Sequence, residues 1–418
     1  MFTRQDALDL DAKDPLAKYR DLFVFTDPEV CYLDGNSLGR LPKRTVDIVH
    51  RYLTEEWGSE LVAGWSHWID EAQRVGDLIG GAALGAASGQ VLAVDTTSVN
   101  FYQLCDAAIA ARPGCTKVIS DMANFPTDRY ILEGLCERHG KQLVLIDDES
   151  GEGYVTPEML VAHLDDDTAL VTLSVVQYRS GALHDVRELT RITHASGALI
   201  VWDASHAVGV VDLQLDRDDV DLAVGCTYKY CNAGPGSPAW LYVNKHLQQS
   251  LRVPIQGWFA QRDQFAMGQG FVRADDLRGF QIASPSIVGM RCIEASFSMI
   301  IEAGLPAIAA KAALGTDMMV RLHDAWLAPL GFELITPRDA TRRGGHVTLQ
   351  HPDARQISVA MREMVKVIPD FREPSSIRLA MSPLATSFQE VWDGFARVRD
   401  LVATGRYREA SLPASRVT

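Results

Sequence analysis

Residues 222–237 read LAVGCTYKYCNAGPGS. A short apolar run, Leu222 to Gly225, leads into Thr227-Tyr228-Lys229-Tyr230. The Gly-rich turn Asn232-Ala233-Gly234-Pro235-Gly236-Ser237 comes next. A lysine at the end of a buried strand, followed by such a turn, is unusual. Taken alone, Lys229 could equally be a solvated loop lysine. Upstream the same design recurs. A strand over 198–202 ends in Asp203, followed by Ala204-Ser205-His206. Further strands are expected over 91–94, 117–120, 142–146, 169–175 and 222–225. Each is short and nearly continuous in apolar residues, as strands covered on both faces must be. Helical patterns lie between them. One spans 98–111 and stops before Arg112-Pro113-Gly114; another spans 186–196, with Asp185 as N-cap and Gly197 as stop. This alternation predicts an α/β fold, a mainly parallel sheet wrapped by helices.

Beyond the turn the character changes. Residues 250–290 are rich in Gly, Gln, Arg and aromatics without a clear period, and read as long loops. A long helical region begins near Gly289 and continues through 295–303 and 307–327. Short strands over 345–350, 365–369 and 377–380 then mix with helices over 353–364 and 387–404. The expected division is a segment 1–60 contributing to a small domain, a large domain 61–290, and a smaller α+β domain 291–418.

Composition narrows the possibilities. The 418 residues are 47% hydrophobic and 22% charged, ordinary for a globular chain with a large core. Forty Lys and Arg against 54 Asp and Glu give a formal net charge of -14. That balance disfavours nucleic acid and anionic membrane as partners, since both need a positive field. No apolar run nears the ~18 residues of a membrane helix. The first residues carry neither a signal core nor a transit pattern. Seven cysteines, an odd number, form no CxxC pair and no Cys/His cluster with zinc spacing. The expectation is a cytoplasmic protein with reduced thiols and no metal.

Four features could carry chemistry: Lys229 after one strand, Asp203 at the end of another, Asp95-Thr96-Thr97-Ser98 before a helix, and Asn124-Phe125-Pro126-Thr127-Asp128 after a third strand. Asp203 could merely cap the next helix, Thr96 could be a plain N-cap, and Phe125 could be a packing residue. Together they meet the needs of pyridoxal phosphate. That cofactor requires a lysine, a carboxylate for the pyridinium nitrogen, a phosphate site at a helix N-terminus and a flat side chain over the ring. In a parallel sheet all four needs are supplied from the carboxyl ends of the strands.

The stretches YLDGNSLGRLPK (32–43), DTTSVN (95–100), NFPTD (124–128), WDASHAVG (202–209), GCTYKYCNAGPGS (225–237), GWF (257–259), FREP (371–374) and IR (377–378) lie in that order. With them the chain resembles the kynureninases, fold type I pyridoxal phosphate enzymes of the class V aminotransferase superfamily. The resemblance implies a fold type I large domain. It implies that Lys229 holds the cofactor and moves the proton at the substrate Cα. Asp203 would face the pyridinium nitrogen, and Phe125 would stack on the ring. Thr96, Thr97 and Tyr228 would hold the phosphate, Tyr228 also serving as an acid near the leaving group. His206 and Asp128 would support the ring. Arg378 would clamp the substrate α-carboxylate. Trp258 would reach the site from a second subunit, implying a homodimer with shared active sites. Trp65 is a candidate for the aryl pocket, with a buried core aromatic the alternative. Asn36 and Ser37 either shape the entrance or form a structural turn. The implied reaction is hydrolysis of the Cβ–Cγ bond of L-kynurenine, 3-hydroxy-L-kynurenine or both, in tryptophan catabolism. It yields anthranilate or 3-hydroxyanthranilate and L-alanine.

Three positions depart from the family pattern. Ala283-Ser284-Pro285 stands where a longer polar pair usually precedes the proline, leaving Ser284 as the candidate cofactor contact. Val175 and Gln177 fill a segment that often reads His-x-Asn before the tyrosine, here Tyr178. Ala385 replaces a common aromatic, which would enlarge a pocket. Another substituted aryl β-keto amino acid and a class V aminotransferase therefore stay open as alternatives. A cysteine desulfurase does not fit, because it needs a nucleophilic cysteine on a mobile loop far along the chain. The last cysteine here is Cys292, in a helical pattern.

Overall fold

The computed structural model describes residues 2–148 and 153–412. In chain order the strands are β1 (Cys31–Tyr32), β2 (Val91–Ala93), β3 (Lys117–Asp121), β4 (Gln142–Ile146), β5 (Thr168–Ser174), β6 (Leu199–Asp203), β7 (Leu222–Gly225), β8 (Trp240–Val243), β9 (Glu333–Leu334), β10 (His346–Gln350), β11 (Val367–Ile368), β12 (Asp370–Arg372) and β13 (Ser376–Ala380). Among the described residues, seven strands form the main sheet in the order β2-β8-β7-β6-β5-β3-β4. Strand β8 is antiparallel to β2 and β7, and the other pairs are parallel. The residues of β5, β6 and β7 are buried throughout. Their near-continuous apolar runs are what two covered faces require. The α/β expectation holds. Strand β8 was not foreseen: its four residues Trp-Leu-Tyr-Val follow the Gly-rich loop that drew attention to Lys229.

Helices Thr97–Ala110, Pro126–His139 and Val186–Ala195 connect the strands. The helical region beyond Gly289 is two helices, Ile287–Ala303 and Leu305–Leu322. They meet at Gly304, whose φ of +78° ends the first helix, and the helical stretches on either side are bent by 84°. Among the described residues no single helix is long and apolar enough to cross a membrane. Strands β12-β13-β10-β9 form an antiparallel sheet, and β1 pairs with β11 in parallel.

Two large buried cores result. The larger gathers the main sheet, Leu16, Tyr19 and Phe23 near the start, and helix Ile287–Ala303. The smaller joins Ala7, Cys31 and Leu33 to residues from Met318 to Ala410. Ala385 sits in the larger core, fully buried, and its carbonyl accepts from Arg20 at 2.5 Å. Its small side chain is packed over and does not open a pocket.

Two glycines show how tightly the layers close. A Cβ at Gly39 would lie 2.4 Å from the Lys229 carbonyl oxygen, and the Gly39 N–H donates to the Tyr228 carbonyl at 2.8 Å. The N-terminal loop is thereby laid against the lysine turn. A Cβ at Gly76 would lie 2.0 Å from the Val91 carbonyl oxygen, so helix Glu71–Ile79 approaches β2 at backbone distance. Gly76→Ala is expected to destabilise the chain by about 1–3 kcal/mol through overpacking. The midpoint of thermal unfolding reads this. Gly81→Ala is the control, since a Cβ there meets nothing within 4 Å.

Candidate active site

The carboxyl ends of the parallel strands open into a cavity of about 100 Å³. Thr97, Phe125, Asp128, Asp203, His206, Tyr228 and Lys229, all foreseen from sequence, line it. Asp203 is the last residue of β6. Lys229 sits in the turn after β7, and its Nζ lies 2.9 Å from His206 Nε2. Burial lowers the lysine amine below its ordinary value. Burial, followed by the Lys229 charge, holds His206 well below the usual imidazole range. A neutral imidazole beside the amine follows. Burial also raises the Tyr228 phenol, which contacts the Cys226 thiol.

Two carboxyl groups face each other on the cavity floor. Burial raises Asp128 well above the usual aspartate value, and the adjacent Asp203, in hydrogen-bonding contact, raises it further. Like charges this close cannot both stay ionised out of water. The pair therefore holds a proton, assigned here to Asp128. Asp203 Oδ1 accepts the Ser205 N–H at 2.7 Å, which fixes its rotamer at the end of the strand.

Phe125 is held from below by Asn124. The Asn124 side-chain oxygen accepts the Phe125 N–H and the Ser174 hydroxyl, each at 2.8 Å. Its amide donates to the Ser120 hydroxyl at 3.0 Å. One buried side chain thus ties β3, β5 and the ring together. Pro126 opens the helix that follows, and Phe125 meets Tyr178 edge to face at 5.3 Å. Opposite, helix Thr97–Ala110 begins at the cavity. Thr96 is its N-cap, accepting from Val99 N at 3.3 Å, and does not line the cavity. Thr97 and Ser98 do.

The remaining foreseen residues lie elsewhere in this chain. Arg378, Asn36 and Ser37 form a separate buried cluster. Arg378 donates to Asp370, to the Tyr178 carbonyl at 2.6 Å and to Ser37 Oγ at 3.3 Å. Trp65 and Trp258 are 37% and 46% exposed and both pack on Phe259. Ser284 is exposed and stands away from the cavity. Sequence reading missed Ser98, Thr127, Ser174, Val176, Tyr178 and Ser205 as lining residues. Ser98, Thr127 and Ser205 fall inside the motifs already singled out; Ser174 was signalled only by ending a strand. Gln177, where the family pattern differs, is buried and donates to Asp121 at 3.0 Å.

The sheet, the lysine turn after β7 and the carboxylate ending β6 define a fold type I pyridoxal-phosphate-dependent enzyme. The residues fit that cofactor. The cavity offers a lysine, a carboxylate, a ring-stacking side chain and a helix N-terminus, and His206 Nδ1 is buried there without a partner. Comparison with known proteins gives the family. A model of the kynureninase C-terminal domain matches residues 308–398. The kynureninase of Pseudomonas fluorescens is 35% identical over 420 residues, covering 99% of this chain and 98% of its own length. The chain belongs to the kynureninase family. Among solved structures, a cysteine desulfurase of Thermococcus onnurineus NA1 superposes with a TM-score of 0.80 at 18% identity, covering 93% of this chain and 98% of its own. A C-DES variant with glycine covalently linked to its PLP cofactor gives 0.77 at 15% identity, covering 96% and 100%. These similarities show the shared fold. The last cysteine here, Cys292, lies within helix Ile287–Ala303.

The carboxyl pair sets a pH dependence. Unfolded, Asp128 ionises near its ordinary 3.8; folded, it keeps its proton to higher pH. The native state thus binds more protons above that value, and stability falls as pH rises through the window. Asp128→Asn removes the titration. In cofactor-free protein its stability relative to wild type is expected to increase from pH 4 toward neutral, read by urea unfolding.

Proposed function

We propose that this protein binds pyridoxal phosphate and hydrolyses the Cβ–Cγ bond of L-kynurenine, releasing anthranilate and L-alanine. One observation carries the reading: Lys229, Asp203, Phe125 and the Thr97 helix terminus converge on one cavity in a chain of the kynureninase family. The cofactor supplies an electron sink for the carbanion chemistry at Cα and Cβ. This chain's residues do the rest. Lys229 anchors the cofactor and moves the Cα proton, helped by the low proton affinity that burial gives its amine. Asp203, which lines the cavity, would hold the ring nitrogen and favour its protonation. Asp128 and His206 hold the ring's polar edge, and Phe125 covers its face. Thr97, Ser98 and Tyr228 would receive the phosphate, helped by the N–H groups of the helix terminus that Thr96 caps. Tyr228, which lines the cavity, would also act as an acid toward the leaving group.

Arg378 takes the substrate α-carboxylate with its planar fork. Asn36 and Ser37 border that fork. Trp65 would contribute to the aryl pocket, and a second copy of the chain would bring the half-exposed Trp258 and Ser284 to its neighbour's cofactor. A homodimer with shared sites in the cytoplasm is the working assembly. The cofactor-binding unit 61–290 also packs Leu16, Tyr19, Phe23 and helix Ile287–Ala303 into its core, and the small domain is built from Ala7, Cys31, Leu33 and residues from Met318 to Ala410. The 3-hydroxy form of the substrate is accepted through the same contacts.

Turnover of L-kynurenine tests the reading most simply. Fluorescent anthranilate and alanine are expected in equal amounts; no turnover of kynurenine or its 3-hydroxy form contradicts it. Borohydride treatment of the loaded protein is expected to fix the cofactor covalently. Lys229→Ala should retain none after denaturation. Arg378→Ala is expected to raise KM by removing a charge-assisted contact worth ~1.5–3 kcal/mol.

A further inference from the structure

Arg378 does not stand free. It lies on β13 directly opposite Asp370 on β12. Both side chains are buried, at 1% and 2% exposure. One carboxylate oxygen, Asp370 Oδ2, takes both Nε and Nη2 of the guanidinium. Arg372 Nε lies 3.2 Å from the same oxygen. The Asn36 amide oxygen, in the orientation that satisfies its neighbours, sits 3.3 Å from Nε and from Nη2. Nη1 donates to the Tyr178 carbonyl at 2.6 Å, and Nη2 reaches Ser37 Oγ only at 3.3 Å.

A guanidinium presents two forked edges to carboxylates, Nε with Nη2 and Nη1 with Nη2. Asp370 closes the first. On the second, Nη1 contacts the Tyr178 carbonyl and Nη2 has the long contact to Ser37 Oγ at 3.3 Å. We propose that Asp370 is a positioning residue for substrate binding. It locks the Nε edge of Arg378 so that the Nη1/Nη2 edge receives the α-carboxylate, and Ser37 yields its contact when the carboxylate docks. The proposal rests on the clamp role given to Arg378 above. Because β12 and β13 place the pair in register, the geometry is fixed before substrate arrives, and no side-chain search accompanies binding.

The test uses the cofactor-loaded enzyme with Asp370→Asn, which keeps the shape and removes the charge. Steady-state kinetics with L-kynurenine are compared with binding of its decarboxylated amine analogue, followed by the cofactor's visible spectrum. Asp370→Asn is expected to raise KM on the order of tenfold or more, with kcat changed far less, as loss of a charge-assisted contact dictates. The analogue, which has no carboxylate for Arg378, should bind as to wild type. An unchanged KM overturns the proposal, as does an equal loss of affinity for the analogue, which would mark a merely structural role. Arg378→Lys run alongside separates the two readings. If it raises KM while Asp370→Asn does not, the clamp stands and the positioning role falls. If neither raises KM, the clamp itself is wrong. Should Asp370→Asn fail to load cofactor, Asp370→Glu replaces it. The charge is kept but displaced by one methylene, so KM is again expected to rise, and an unchanged KM overturns the proposal.

Discussion

The site depends on the removal of charge from water. Asp128, Asp203, His206 and Lys229 share one small cavity at the carboxyl ends of the strands. Burial is the leading cause of every shift resolved among them: Asp128 up, His206 down, Lys229 down. The outcome is a cavity in which burial favours the uncharged forms of Asp128, His206 and Lys229. A cationic partner there relieves the strain between the two carboxyl groups. Cofactor binding and the like-charge pair are thus two sides of one electrostatic arrangement.

The fold serves that arrangement in an economical way. Parallel strands bring Asp203, Ser174 and the lysine turn to one rim, and short connections leave little freedom. Asn124 joins two strands to Phe125 through three hydrogen bonds. Gly39 allows the N-terminal loop to close on the lysine turn. The small sheet approaches from the far side and delivers Arg378 with its partner already in register.

Much of this was legible in the residues. Strand ends announce themselves as apolar runs that stop at Asp203 or before Lys229, and NFPTD and DTTS sit just past such ends. Of what the cavity lining added, Ser98, Thr127 and Ser205 lay within the same motifs, while Ser174, Val176 and Tyr178 did not. Other features depend on distances in space that no local pattern encodes. Asp370 meets Arg378 across a hairpin, and FREP showed only that a motif was there. The effect of Ala385 was misjudged because a small residue can be packed over as easily as it can leave a hole. Strand β8 escaped notice because its direction is set by the sheet, where it lies between β2 and β7. The bend at Gly304 needed its backbone angle to be seen.

The central claim is that burial and the adjacent Asp203 keep a proton on Asp128, and that Asp203 serves the cofactor's ring nitrogen. The most direct measurement is the nitrogen-15 chemical shift of ring-labelled pyridoxal phosphate in the loaded enzyme at neutral pH. The account predicts a protonated ring nitrogen in wild type and in Asp128→Asn, and loss of that proton in Asp203→Asn. An unprotonated nitrogen in wild type, or a shift indifferent to Asp203→Asn, would contradict it.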